Sequence, residues 1–177
     1  MTVTVEPFAP RLEDSSVDWT IATPNNDCEE LVAGLRDRLL ADLPRTGMLL
    51  YRLVEGYGSQ HPELAQLLEL FSRLSGDVKM HLAHEQAAVL PRLRDGNACD
   101  ADEAAELLLP LEAEQHVARQ LLAEIRARAL DYRPPTGACV THRQVLIALE
   151  SLERDLNDLF GFEDNILFPK VMQGSHW

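Results

Sequence analysis

Cysteine is scarce in this chain. Cys28, Cys99 and Cys139 stand far apart with no CxxC pair. That spacing supports neither a disulfide framework nor a zinc ribbon, and the thiols are expected to be reduced. Positive charge is scarce too: 16 Lys and Arg face 29 Asp and Glu, a formal charge of −13. Such a surface repels phosphate backbones and anionic bilayers, so nucleic acid and membrane are not expected partners. No apolar run approaches the roughly 20 residues that cross a bilayer. The N-terminus has no basic stretch followed by an apolar one, so no signal peptide is expected and the location is expected to be cytoplasmic. A glycine-rich phosphate loop and a serine nucleophile elbow are both missing. β-Branched residues are sparse, while Leu, Ala and Glu dominate, a balance that favours helices.

Against that background one pattern stands out. Leu67, Phe71, Leu74, Val78, His81, Glu85 and Ala88 step by 4, 3, 4, 3, 4, 3. The same steps recur 78 residues later in Val145, Leu149, Leu152, Leu156, Leu159, Glu163 and Ile166. This is the spacing of a helix buried along one seam. Both copies carry a glutamate at the sixth position, and each is followed by an apolar residue and proline, Leu90-Pro91 and Phe168-Pro169. A carboxylate on a buried seam is costly unless a cation or hydrogen-bond donors meet it. Two at matched depth point to a polar site inside a helical bundle.

At 177 residues the chain is expected to form one domain. Residues 1–27, with Pro7, Pro10 and Pro24, read as an extended lead-in. Helix is expected over about 28–56, bent near Pro44 and Gly47, and over about 62–93, with Pro62 in its first turn. A third is expected over about 103–130, with Pro110 breaking it or marking its start, and a fourth over about 138–168. Residues 28–171 then make an all-α, antiparallel up-down-up-down four-helix bundle, and 172–177 a short tail. The seam of the third helix reads Leu108, Leu111, Gln115, Ala118, Leu122, Ile125 and Ala129. That of the first reads Val32, Arg36, Leu39, Leu43, Thr46, Leu50, Leu53 and Tyr57, with Leu31, Leu35 and Leu40 as a competing stripe. The core-facing polar candidates are therefore Arg36, Tyr57, His81, Glu85, Gln115 and Glu163. His84 and His116 fall beside the seams.

Residues 28–170 resemble the hemerythrin-like (HHE cation-binding) domain, and among its members the di-iron proteins of iron–sulfur cluster repair. The resemblance rests on His81-Leu-Ala-His84-Glu85 with Val89-Leu90-Pro91, on Glu114-Gln115-His116, and on Pro134-Pro135 with Ala138-Cys139. Its most specific element is Glu163-Asp164-Asn165-Ile166-Leu167-Phe168-Pro169, and His61-Pro62-Glu63-Leu64 is similar to a family loop. The resemblance implies the bundle fold and a site in which histidines and two bridging glutamates hold two irons. Carried onto this sequence, His81, Glu85 and Glu163 keep their ligand types. Arg36, Tyr57, Gln115 and Leu159 stand at the other histidine positions.

His81, Glu85 and Glu163 could grip one iron-like ion, with His116, Tyr57 and His84 as weaker candidates. Arg36, a fixed cation with five donors, could instead lie between the two glutamates and do the charge balancing. No cofactor or a single metal ion is expected, not a di-iron pair. The first expectation for function is a bundle that has given up di-iron chemistry and serves as a non-catalytic interaction or regulatory protein with a protein partner. The alternatives are a one-metal protein for iron handling or for sensing oxygen or nitric oxide, and a working di-iron repair protein. Cys139 is expected to be structural, His61 to cap a helix, and His142 and His176 to be exposed.

Overall fold

A computed structural model describes residues 26–95 and 100–173. The expectations for the lead-in up to residue 25, for Cys99 and for His176 lie outside these residues. The described chain is helical: α1 (Asn26–Tyr57), α2 (Glu63–Asp95), α3 (Ala101–Arg128), α4 (Val140–Phe162), a π-turn (Glu163–Leu167) and α5 (Phe168–Gln173). Among the described residues there is no strand. The four long helices form an antiparallel bundle in which α1 packs on α2 and α4, and α2 on α3. α5 reaches back to α2 and α3 and closes one end.

The seams do the packing. Every position of the α3 and α4 seams is buried. So are the α2 positions from Leu67 to Glu85, whereas Ala88 is only half-buried and Val89 takes the core place. In α1 the two competing stripes merge: Leu35, Leu39, Leu43, Leu50 and Leu53 are all inside, and Leu40 is exposed. Gly47 lets α1 come close to α2, since a Cβ there would sit 3.3 Å from the Phe71 ring.

Two expectations about helix ends need correction, for α3 and α4. Pro110 neither breaks nor starts α3, which begins at Ala101 behind Asp100. The Asp100 carboxylate accepts from the backbone N–H groups of Asp102 and Glu103, a strong N-cap. Pro110 lies on the exposed face, where water can satisfy the carbonyl that its missing N–H leaves open. Pro91 lies within α2, which runs on to Asp95. The fourth helix does not end at Phe168. It passes through the π-turn and continues to Gln173, with Pro169 in the first turn of α5, where a missing N–H costs nothing.

Candidate metal centre

The antiparallel order brings the later half of α2, the middle of α3 and the end of α4 to one level, with Arg36 of α1 beside them. His81 and Glu85 share one face of α2, and both are buried. Glu163 is completely buried at the start of the π-turn. In that turn the Phe168 N–H reaches back five residues to the Glu163 carbonyl. The Asn165 side chain donates to the Gly161 carbonyl at 2.7 Å. Such one-residue expansions of a helix recur at functional sites, because they aim a side chain that α-helical geometry would point elsewhere.

The side chains form one connected network. Arg36 donates to Glu85 Oε1 in a largely buried ion pair. His81 bridges two carboxylates, with Nε2 at 2.9 Å from Glu163 Oε2 and Nδ1 at 3.2 Å from Glu114 Oε2. Donating to both requires the imidazolium. Gln115 donates to Glu163 Oε2 at 2.5 Å and is held by Arg119 at 3.2 Å. Arg119 also pairs with Asp164 at 2.8 Å and lies over the Phe160 ring, which makes a T-shaped contact with the His81 ring. Glu114 reaches outward too, accepting from His84 Nδ1 at 2.7 Å.

The electrostatics show an excess of negative charge. Glu85 is pushed up to about 7, first by burial and then by the charge of Glu163, against the pull of Arg36 and His81. Burial works against a charged His81, but Glu163, Glu85 and Glu114 outweigh it and raise its pKa above the ordinary value. Two carboxylate oxygens, Glu85 Oε2 and Glu163 Oε1, are buried without a hydrogen-bond partner, as is Arg36 Nε. Buried acceptors left open in this way are costly.

The structure separates the candidate residues. Arg36, His81, Glu85, Gln115 and Glu163 come together. Tyr57 does not: it is exposed at the opposite end, beside Cys139 at the start of α4. The reason is simple, because 21 residues separate it from Arg36 on one continuous helix, roughly 30 Å of rise. His116 points away and bonds Gln120 at 2.9 Å, since Gln115 holds the inward position. His84 is exposed. His61 meets the Glu63 side chain at 2.9 Å. Sequence reasoning missed Glu114 and Arg119. The signal for Glu114 was the His81/His84 pair, three residues apart on one helix edge, which needs a common acceptor from the neighbouring helix.

A two-metal centre does not fit these residues. Guanidinium, amide and alkyl groups (Arg36, Gln115, Leu159) stand at three of the histidine positions that the resemblance implies, and the fourth, Tyr57, lies at the far end. Leu159 is fully buried and offers no donor. Among the described residues no three His, Cys, Asp or Glu side chains form a ready metal shell. One divalent ion does fit the donor chemistry and the charge. Three carboxylates (Glu85, Glu114, Glu163) face one guanidinium, and a divalent cation supplies the two missing charges. The residues that would hold it are Glu85 and Glu163, through their partnerless oxygens, and His81 through Nε2. Glu114 on Nδ1 is the outer carboxylate that metal-binding histidines commonly use.

This geometry defines a hemerythrin-type bundle, and the chain belongs to that family. Residues 37–171 match the model of the hemerythrin HHE cation binding domain. Among named relatives, the iron–sulfur cluster repair protein ScdA of Staphylococcus haemolyticus is 28% identical over 120 residues, 67% of this chain and 54% of its own length. The iron–sulfur cluster repair protein YtfE of Yersinia pseudotuberculosis is 23% identical over 160 residues, 90% of this chain and 71% of its own length. The chain therefore spans about half the length of the first and under three quarters of the second. No helix among the described residues is long and apolar enough to cross a membrane.

Proposed function

We propose that this protein handles iron in the upkeep of iron–sulfur clusters, using a single ion held by His81, Glu85 and Glu163. The observation that carries the reading is the pair of buried, partnerless oxygens, Glu85 Oε2 and Glu163 Oε1, beside an imidazole backed by Glu114. The names of the relatives supply the biological setting. A bound iron supplies one-electron redox chemistry and an open position for a small ligand such as nitric oxide or dioxygen. The chain's own contribution is to keep the site dry, to hold Glu163 through Gln115, and to offset the remaining negative charge with Arg36.

A second reading has its own support. Arg36 on Glu85 and Gln115 on Glu163 already use one oxygen of each carboxylate. Protons on His81 and Glu85 then do the charge balancing, and the bundle serves as a metal-free regulatory protein. Elemental analysis decides. The first reading expects one iron per chain after anaerobic loading with ferrous ion and desalting, falling at least tenfold in Glu163→Gln. No retained iron assigns the second reading, and two irons per chain refute both. Reactivation of an oxidatively damaged iron–sulfur hydro-lyase by the one-iron protein tests the repair role. Its failure refutes that role and leaves the one-ion site standing.

A further inference from the structure

The bundle end remote from the carboxylates holds a cavity of about 380 Å³. It opens between the end of α1, the start of α2, the α3–α4 connection and the first turn of α4. Its volume falls within the range of small-molecule sites, about 300–1,000 Å³. The floor is apolar and buried: Leu53, Leu64, Leu67, Ala129 and Leu146. The rim is polar. Tyr57, Cys139, His142, Arg128 and Arg133 are among the residues that line it. An apolar pocket edged by a few placed polar groups is the usual form of a ligand site.

The rim also has a charge. In a chain of formal charge −13, the charged lining residues are Arg128, Arg133 and Glu63, a local excess of one positive charge. Glu63 is engaged by His61. The N-terminus of α4 adds partial positive charge, with Cys139 as its cap, accepting from the His142 N–H at 3.4 Å. Burial and the neighbouring His61 hold the His142 pKa below its ordinary value, so the guanidiniums are the fixed cations of the rim.

The backbone that presents the rim is strained. Leu130, Asp131 and Tyr132 have φ of 53°, 52° and 60°, three consecutive non-glycine residues in the left-handed region. They are held there by the Tyr132 hydroxyl, which donates to the buried Glu153 at 2.5 Å, and by Arg126 on the same carboxylate at 2.9 Å. The consequence of the turn is to put Leu130 and Arg133 on the cavity wall. Strain kept in place by a dedicated buried cluster marks positions whose geometry matters.

We propose that this cavity binds a small organic monoanion, an aryl or short-acyl body bearing one carboxylate. The body lies on the leucine floor, and the carboxylate lies between Arg128 and Arg133, whose planar forks match its two oxygens. The rim's single excess charge suits a monoanion, and Glu63 disfavours a dianion such as a phosphate ester. This site lies at the far end of the bundle from the iron reading and does not depend on it.

The probe is 3-phenylpropanoate, with its neutral amide as the matched control, in a Cys28→Ser/Cys99→Ser background where Cys139 is the sole thiol. Calorimetry is expected to show saturable binding of the acid with Kd below 1 mM and the amide at least tenfold weaker. Arg128→Ala/Arg133→Ala, two exposed positions, is expected to bring the acid down to the affinity of the amide while circular dichroism shows the variant fully folded. Saturating acid is expected to slow alkylation of Cys139 by iodoacetamide at least fivefold. The proposal is overturned by absence of saturable binding, by equal affinity for acid and amide, by a double variant that binds as well as the parent, or by binding that leaves Cys139 unprotected.

Discussion

Replacing Arg36 by alanine removes the guanidinium that pairs with Glu85, and its cost is set by pH. If Glu85 had to stay ionised, stranding it would cost on the order of 3–5 kcal/mol. It need not, because it sits at about 7 even with Arg36 present and can take up a proton instead. A carboxylate whose folded pKa is raised gives stability that is fully present below its unfolded pKa, near 4.3, and lost as pH rises through the folded one. In the parent that loss is complete shortly above pH 7, where Glu85 is ionised in both states. In Arg36→Ala the folded pKa moves higher still, so the folded state keeps a proton that the unfolded chain has released. The variant's deficit is therefore expected to stay near 1 kcal/mol at pH 6, about one hydrogen bond. Above pH 7 it should grow by about 1.4 kcal/mol per pH unit, to roughly 3–4 kcal/mol at pH 9. Urea unfolding followed by circular dichroism, in chelator and from pH 5 to 9, measures it. Adding Glu85→Gln should flatten the dependence. A deficit constant across that range would refute the proton-escape argument and the charge balance built on it.

Further outcomes follow from the same network. Loading the apo protein with one divalent ion at pH 6 should release close to two protons, from His81 and Glu85; calorimetry in buffers of different ionisation enthalpy reads that number. Combining Arg36→His, Gln115→His and Leu159→His should raise iron from one to two equivalents per chain, as elemental analysis would report, because it restores three missing ligands at one level. Tyr132→Phe should cost about 1–3 kcal/mol in urea midpoint, because Glu153 keeps Arg126 but loses a buried donor. Asp100→Ala should cost about 1 kcal/mol by exposing the α3 N-terminus, and Asp100→Asn should recover most of it.

The bundle was legible because burial has a period. Six matched steps in α2 and α4 fix which face of each helix is inside, and the α3 seam reads the same way. What periodicity cannot carry is depth along the axis. Tyr57 occupies a seam register on α1, yet it sits a full helix length from Arg36; register alone could not exclude it, whereas rise per residue could have. The inward choice of Gln115 over His116 was readable from the leucines on either side. Glu114 was readable only through the His81/His84 pair, because a residue one position off the seam reaches the core only through the length of its side chain and the imidazole waiting for it. The π-turn was hidden: a periodic apolar pattern counts residues and says nothing about which carbonyl each N–H chooses.

That π-turn makes residue count itself a functional variable. Glu163–Leu167 carries one residue more than an α-helical path over the same span would. Deleting any one of the five lets the segment relax to uniform α-helix over that same span, so Phe168 and Val171 keep their buried places while the residues within the turn change facing. The aim of the Glu163 carboxylate can thus be changed apart from the closure of that end of the bundle. A one-residue deletion here rewrites the site and leaves α5 in its place.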